Sequence, residues 1–97
     1  MMSKYPLFAV GQVVMTVGVN KAVQKNALSH AQLLTFLNRH RHGDFGPLDD
    51  EDNVSNMAAI ENGDRILSSY PLNEKEKVWI ITEADRSVTT ILFPDEY

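Results

Sequence analysis

The chain has 97 residues, a formal net charge of −4 and no cysteine. This length predicts a single domain over residues 1–97, because domains commonly contain about 100–200 residues. The absence of cysteine excludes a disulfide framework, a thiolate metal site and a cysteine nucleophile. No apolar run is long enough for a transmembrane helix, and residues 1–10 are too weakly patterned for a signal peptide. We therefore expect a cytoplasmic protein that does not contact a membrane.

Acidic and basic residues are separated along the chain. Residues 44–64 contain seven acids and neither lysine nor arginine, whereas residues 1–43 contain five bases, three histidines and no acid. Nucleic-acid binding usually requires a dense stripe of Lys and Arg, so we expect no direct contact with nucleic acid. The separated charges can instead steer a protein partner of either sign. Homo-oligomerisation is left open by these observations.

Residues 1–28 form a weakly defined N-terminal arm. Valine-rich residues 12–17 lie between two glycines and predict a short strand, with an irregular arm on the core as the alternative. The apolar spacing over residues 19–27 predicts a short helix. Asn20 is its expected N-cap, because an asparagine side chain can accept the free amides of the first turn.

Residues 29–63 form the helical part. Ser29 and Gln32 have the spacing of a capping box, which predicts that a helix begins there and runs to the turn at Gly43. A third helix begins after Asp49 or Asp50, since carboxylates suit the positive end of a helix dipole. We expect it to end at residues 62–63, with a buried face of Val54, Met57, Ala58 and Ile60.

Residues 65–94 form the sheet. Three β-prone runs at 65–72, 77–82 and 87–93 are joined by polar connectors that are too short for helical crossovers, so the strands are antiparallel. The predicted fold is α+β, with two to three helices packed on a three-stranded antiparallel sheet, or four-stranded if residues 12–17 join it. The expected core comprises Leu33, Leu37, Met57, Ile60, Leu67, Trp79, Ile81 and Ile91.

Two polar clusters are candidate binding groups. Arg39, His40 and Asp44 surround the end of the second helix, and Glu83, Asp85 and Arg86 share the last connector. The connector has a simpler interpretation as a turn, in which Asp85 accepts backbone amides and Arg86 pairs locally. Its alternative is an edge that binds a ligand or a partner.

No metal, cofactor or catalytic residue is assigned from the sequence. His40 and His42 are two residues apart and point in different directions on a helix, and His30 lies too far along it. The acids at 49–52 lack the glycine of a calcium loop. Ser68, Ser69 and Ser87 could pair with a histidine, but no nucleophile-elbow motif surrounds them.

The acids Asp49, Asp50, Glu51 and Asp52 form a candidate acidic face. On one interpretation they cap the third helix and keep the protein soluble. On the other, their carboxylates replace DNA phosphates in the basic groove of a defence nuclease. That binding would weaken steeply as salt rises.

Two segments resemble a known bacterial family. Residues 37–46 are similar to an R-H-x-x-G-D-W-G signature, with Phe45 in place of the tryptophan, and residues 79–92 closely resemble W-I-I-T-E-A-D-R-S-x-T-T-I-L. Asp52, Asn56 and the stretch 65–70 fit the same family, so the resemblance covers residues 33–97. The family consists of small proteins carried on plasmids and other mobile DNA.

The resemblance implies an accessory gene of a mobile element and supplies no catalytic residue. Some members are described as type I restriction modification subunits, but 97 residues cannot hold a methyltransferase, and its N-P-P-Y-type motif is missing. We expect a non-enzymatic binding protein with a protein partner. The alternative is a small hydrolase or transferase that uses the Arg39–Asp44 and Glu83–Arg86 clusters, and a further alternative is the DNA mimic.

Overall fold

The computed structural model describes residues 4–97. Residues 1–3, which begin both the predicted domain and its N-terminal arm, lie outside the described part. No helix in this part is both long and apolar enough to span a membrane. Three α-helices are followed by most of a four-stranded sheet, which confirms the α+β class. The elements in chain order are β1 (Gln12–Met15), α1 (Val17–Gln24), α2 (His30–Arg41), α3 (Asp50–Asn62), β2 (Ile66–Pro71), β3 (Lys77–Thr82), β4 (Val88–Leu92) and a 3₁₀ helix at Pro94–Glu96.

The sheet has the strand order β1-β4-β3-β2. The pairs β2–β3 and β3–β4 are antiparallel, as the short connectors predict, and β3 is central. β1 joins as the fourth strand, but it runs parallel to β4, so the sheet is mixed rather than wholly antiparallel. Three helices and two strands separate β1 from β4, and no hairpin therefore constrains their relative direction.

The helices begin at side-chain caps. The capping box is confirmed, since Ser29 Oγ accepts the Gln32 N–H at 3.1 Å and Gln32 Oε1 accepts the Ser29 N–H at 2.9 Å. Asp49 is the cap of α3, with its Oδ1 2.8 Å from the Asp52 nitrogen. The expected Asn20 cap is wrong, because the Asn20 N–H already donates to the Thr16 carbonyl inside α1. Thr16 caps that helix instead.

The helices cover one face of the sheet. Cross-strand partners share a face, so Ser68, Ile80 and Ile91 point to the same side. The largest buried cluster joins this face to α1 and α2, and it consists of Val19, Leu28, Leu33, Tyr70, Val78, Ile80 and Ile91. A second cluster of Phe45, Ala59 and Ile66 lies beneath α3.

The expected core is partly correct. Leu33, Ile81 and Ile91 are buried, and a half-buried group consists of Leu37, Ile60, Leu67 and Trp79. Trp79 lies on the sheet face opposite the main core, where its ring makes an edge contact with Tyr97 at 5.8 Å. The prediction that Met57 belongs to the core is wrong, because half of its surface is exposed.

The buried face of α3 differs from the prediction. Asn56 and Ala59 are its buried residues, whereas Val54 and Ala58 are exposed. Val54 lies two residues from Asn56, about 160° away around the helix, and Met57 has the same relation to Ala59. The helix turns Asn56 inward because the backbone groups of Leu67, at the edge of β2, need a polar side chain as their partner. The Asn56 amide donates to the Leu67 carbonyl at 2.7 Å and accepts the Leu67 N–H at 3.1 Å.

Candidate functional site

His40 occupies the last turn of α2 and is fully buried against the sheet. Its Nδ1 lies 2.5 Å from Ser68 Oγ on β2, and its Nε2 lies 2.8 Å from Thr82 Oγ1 on β3. Both partners are fully buried as well. Residues 37–46 and 79–92 therefore meet in the core, through His40 of the first segment and Thr82 of the second.

Each hydroxyl group in the chain from His40 to Val10 accepts from one neighbour and donates to the next. Thr89 donates its hydroxyl to the Val10 carbonyl at 2.7 Å, so its oxygen accepts from Thr82 at 2.7 Å. Thr82 has then used its single proton, and it must accept from His40 Nε2. His40 Nε2 therefore carries a proton. Because the buried ring is neutral, its Nδ1 is unprotonated and accepts from Ser68, which is the Nε2–H tautomer.

Burial keeps this imidazole neutral. Loss of solvent lowers the pKa of His40 to about 3, and the nearby Arg86 charge adds to the shift. The ring also packs edge-on against Phe8 at 5.1 Å and against Phe45 at 6.4 Å. A charged imidazolium would have to donate from both nitrogens, so the Ser68 hydroxyl would have to accept from Nδ1 instead of donating to it.

The contact between Ser68 and His40 has the composition of a nucleophile and its base. Neither side chain has any solvent-exposed surface, so no substrate can reach the serine hydroxyl from outside. The sequence identified both residues as candidates but not their pairing. The available signal was their position, because Ser68 and Thr82 occupy inward-facing positions on strands that otherwise bury apolar side chains.

Arg39 and Asp44 form an ion pair, as the sequence cluster suggested. Arg39 Nε and Asp44 Oδ2 are 2.7 Å apart, and both side chains are about one-third exposed. This hydrogen bond lowers the pKa of Asp44 and raises that of Arg39. The Tyr70 hydroxyl donates to the Asp44 carbonyl at 2.7 Å, while the guanidinium lies 4.7 Å above the Tyr70 ring. The pair holds the turn after α2 against β2.

Arg86 binds the end of α3. Its backbone is left-handed, with φ of 61°, and its guanidinium donates to the carbonyls of Ala59 at 3.0 Å and Asp64 at 2.7 Å. A third bond, to the Glu83 carbonyl at 3.1 Å, closes its own turn. The Ala59 carbonyl also accepts the Gly63 and Asp64 N–H groups, so Arg86 adds a long-range contact to a helix end that is already capped by the backbone.

The rest of the last connector forms the turn that the sequence indicated. Asp85 Oδ1 accepts the Ser87 hydroxyl at 2.6 Å and the Ser87 N–H at 3.0 Å, and these bonds lower the pKa of Asp85. Glu83 lies 3.9 Å from Arg65 in a loose, exposed ion pair. All three candidate residues of this connector therefore have structural partners.

The two polar clusters make separate contacts. Arg39 pairs with Asp44 near Tyr70, whereas Arg86 faces the end of α3, and the Phe8 ring contacts both His40 and Arg86. Of four surface grooves on residues 4–97, none includes Arg39, Asp44, Glu83 or Arg86 in its lining. The concave site that a shared catalytic function requires is thus missing from these grooves.

The candidate acidic face lies at the start of α3. Asp49 is used as the cap, and Asp50, Glu51 and Asp52 are exposed in the first turn. Within the described chain, no three His, Asp or Glu side chains converge as they would around a metal ion.

Comparisons with protein-family profiles, with curated proteins and with solved structures found no match to the chain. The function is therefore inferred from the geometry of residues 4–97 and from the sequence.

Proposed function

We propose that the protein is a non-enzymatic binding protein that acts as an accessory factor of a bacterial mobile genetic element. The resemblance of residues 33–97 to a mobile-element family supports the second half of this proposal. The first half rests on an exposed apolar stripe of α3. Val54 and Met57 expose 69% and 50% of their surfaces, and Ala58 lies beside them. Protein-binding surfaces are often built from such contiguous apolar side chains with polar rims.

The stripe borders an open groove of about 510 Å³. Its lining residues are Asn53, Val54, Met57, Ala58, Ile60 and Glu61. The core does not use Val54 or Met57, because the helix packs through Asn56 and Ala59. Two large apolar side chains one turn apart are therefore available to a partner.

The alternative of a hydrolase or transferase has less support. Ser68 and His40 have a suitable contact, but their complete burial denies access to a substrate. Arg39, Asp44 and Arg86 are hydrogen-bonded to groups of the protein itself.

The test is affinity capture from a lysate of the native host. We expect the tagged chain to retain a specific protein, and the double variant Val54→Ser and Met57→Ser to retain at least about tenfold less, as loss of an apolar anchor does in other interfaces. Leu34→Ser is the matched control, because Leu34 is 65% exposed on a different helix. Equal capture by all three proteins, or no specific capture at all, would contradict the proposal.

A further inference from the structure

The same helix face carries unpaired negative charge around its apolar centre. We propose that this face binds a basic amphipathic helix of the partner protein, an inference that rests on the proposed function and specifies the partner's chemistry. The acidic–apolar face comprises the centre Val54, Met57 and Ala58 and the flanking acids Asp50, Glu51 and Glu61. The acids lie about one turn before or after the centre on the same side of α3.

The charge of the acidic–apolar face indicates which kind of partner would bind it. Residues 50–64 contain five carboxylates, on Asp50, Glu51, Asp52, Glu61 and Asp64, and no base. In the described part of the chain the ion pairs join Arg39 to Asp44 and Arg65 to Glu83, so none of these five carboxylates forms an ion pair there. A partner with Lys or Arg on both sides of an apolar stripe would pair with the flanking carboxylates and cover the apolar centre at the same time.

The spacing of the centre suits a helix. Val54, Met57 and Ala58 have the spacing i, i+3 and i+4, which forms one ridge and an adjacent small-residue gap on the helix surface. Helices pack when the ridge of one enters the groove of the other, at about 8–10 Å between axes. The small Ala58 side chain beside Val54 and Met57 leaves room for an apolar side chain of the partner.

The charge also argues against other occupants. A second copy of the chain would place the same five carboxylates against their equivalents, and like charges disfavour such a contact. Nucleic acid and anionic lipid surfaces carry negative charge and are disfavoured for the same reason. A DNA-mimic function would use the carboxylates alone, without a requirement for Val54 and Met57.

The experiment is panning of a random peptide library against the full chain. Peptides about 16 residues long can form four helical turns. We expect enriched sequences to carry net positive charge and apolar residues at i, i+3, i+4 and i+7. Their affinity should fall about tenfold between roughly 50 and 500 mM salt, since exposed charges are screened over that range.

Two variants with equal changes in net charge locate the binding face. Neutralisation of the face by Asp50→Asn, Glu51→Gln and Glu61→Gln should weaken the enriched peptides at least tenfold. The control triple Glu74→Gln, Glu76→Gln and Asp95→Asn should leave their affinity unchanged. The double variant Val54→Ser and Met57→Ser should also weaken them at least tenfold, which distinguishes this binding from contact with the carboxylates alone.

Three results would overturn the inference. They are failure to enrich any peptide, equal weakening by both charge triples, and enrichment of neutral or acidic peptides. If neutral or acidic peptides still require Val54 and Met57, the basic partner is wrong while the proposed binding function stands. That function fails separately, on capture from the host lysate.

Discussion

His40 donates from Nε2 to Thr82 Oγ1 over 2.8 Å, and this bond joins residues that are 42 positions apart. His40 lies at the end of α2, and Thr82 is the last residue of β3. The bond is buried, and it continues through Thr89 to the Val10 carbonyl. His40 and Thr82 are polar residues of the kind found in active sites, but at these positions they form a hydrogen-bonded part of the core.

The first prediction concerns the loss of this imidazole. His40→Leu leaves the Ser68 hydroxyl without its acceptor and replaces a planar ring by a branched side chain. We expect the free energy of unfolding to fall by about 2–4 kcal/mol, measured by urea denaturation. His30→Leu, at an exposed position on the same helix, should change it by less than about 0.5 kcal/mol. Equal effects of the two substitutions would contradict the buried role of His40.

The second prediction concerns pH. The pKa of His40 is about 3 in the folded protein and 6.5 in the unfolded chain, so below about pH 6.5 only the unfolded state takes up the proton. Stability from this residue is therefore complete above pH 6.5 and decreases as the pH falls towards 3. Between about pH 7.5 and 5 the expected loss is about 2 kcal/mol. The histidine proton signals of His40 should not titrate in that range, and a midpoint near 6.5 would refute the assignment.

Much of the fold could be predicted because its signals are local. The capping box at Ser29 and Gln32 involves residues three positions apart, and the cap at Asp49 needs only the helix that follows it. The short connectors at 73–76 and 83–86 determine two antiparallel pairs by chain length alone. Each of these features is decided within a few residues.

The remainder depends on contacts between distant segments. Apolar spacing in α3 favours Val54 and Met57 as buried residues, but the edge of β2 needs the Asn56 amide and so rotates the helix. Arg39 and Asp44 lie close together in the sequence and form an ion pair, whereas the buried partner of His40, Ser68, is 28 positions away. The alternation along β2 places Ser68 inward, but it does not indicate which histidine the serine faces.

The third prediction concerns the amide at the sheet edge. Asn56→Asp removes the donor to the Leu67 carbonyl and places a carboxylate there, so we expect a loss of about 2–4 kcal/mol in unfolding free energy. Ser55→Asp introduces the same charge one residue away at an exposed position and should have a much smaller effect. An equally small loss in both variants, measured by urea denaturation, would contradict the role of the Asn56 amide at this edge.

The fourth prediction concerns the hydrogen bonds that Arg86 donates near the end of α3. Arg86→Lys retains the charge but cannot donate to the Ala59, Glu83 and Asp64 carbonyls together, because lysine lacks the planar fork. We expect a loss of about 1–3 kcal/mol, with hydrogen exchange raised first in the last turn of α3. Arg65→Lys is the control, since Arg65 is exposed and contacts the Glu83 carboxylate and the Tyr97 hydroxyl rather than the carbonyls at the end of α3. Similar losses in both variants would show that the carbonyl bonds contribute little.

The last prediction compares two glycines with left-handed backbone. Gly46 has φ of 87° and Gly63 has φ of 74°, so alanine at either position meets a similar conformational penalty of about 1–2 kcal/mol. Their surroundings differ, because a Cβ at Gly46 would lie 1.8 Å from the Ser69 carbonyl oxygen, whereas nothing lies within 4 Å of one at Gly63. The strand that would have to move is held by the Ser69 N–H, which donates to the Phe45 carbonyl at 3.0 Å. Gly63→Ala should therefore unfold cooperatively with a loss of about 1–2 kcal/mol, while Gly46→Ala should lose at least about 3 kcal/mol or fail to fold. Circular dichroism with urea distinguishes the two, and equal stability of the variants would show that the turn after α2 does not lie against β2.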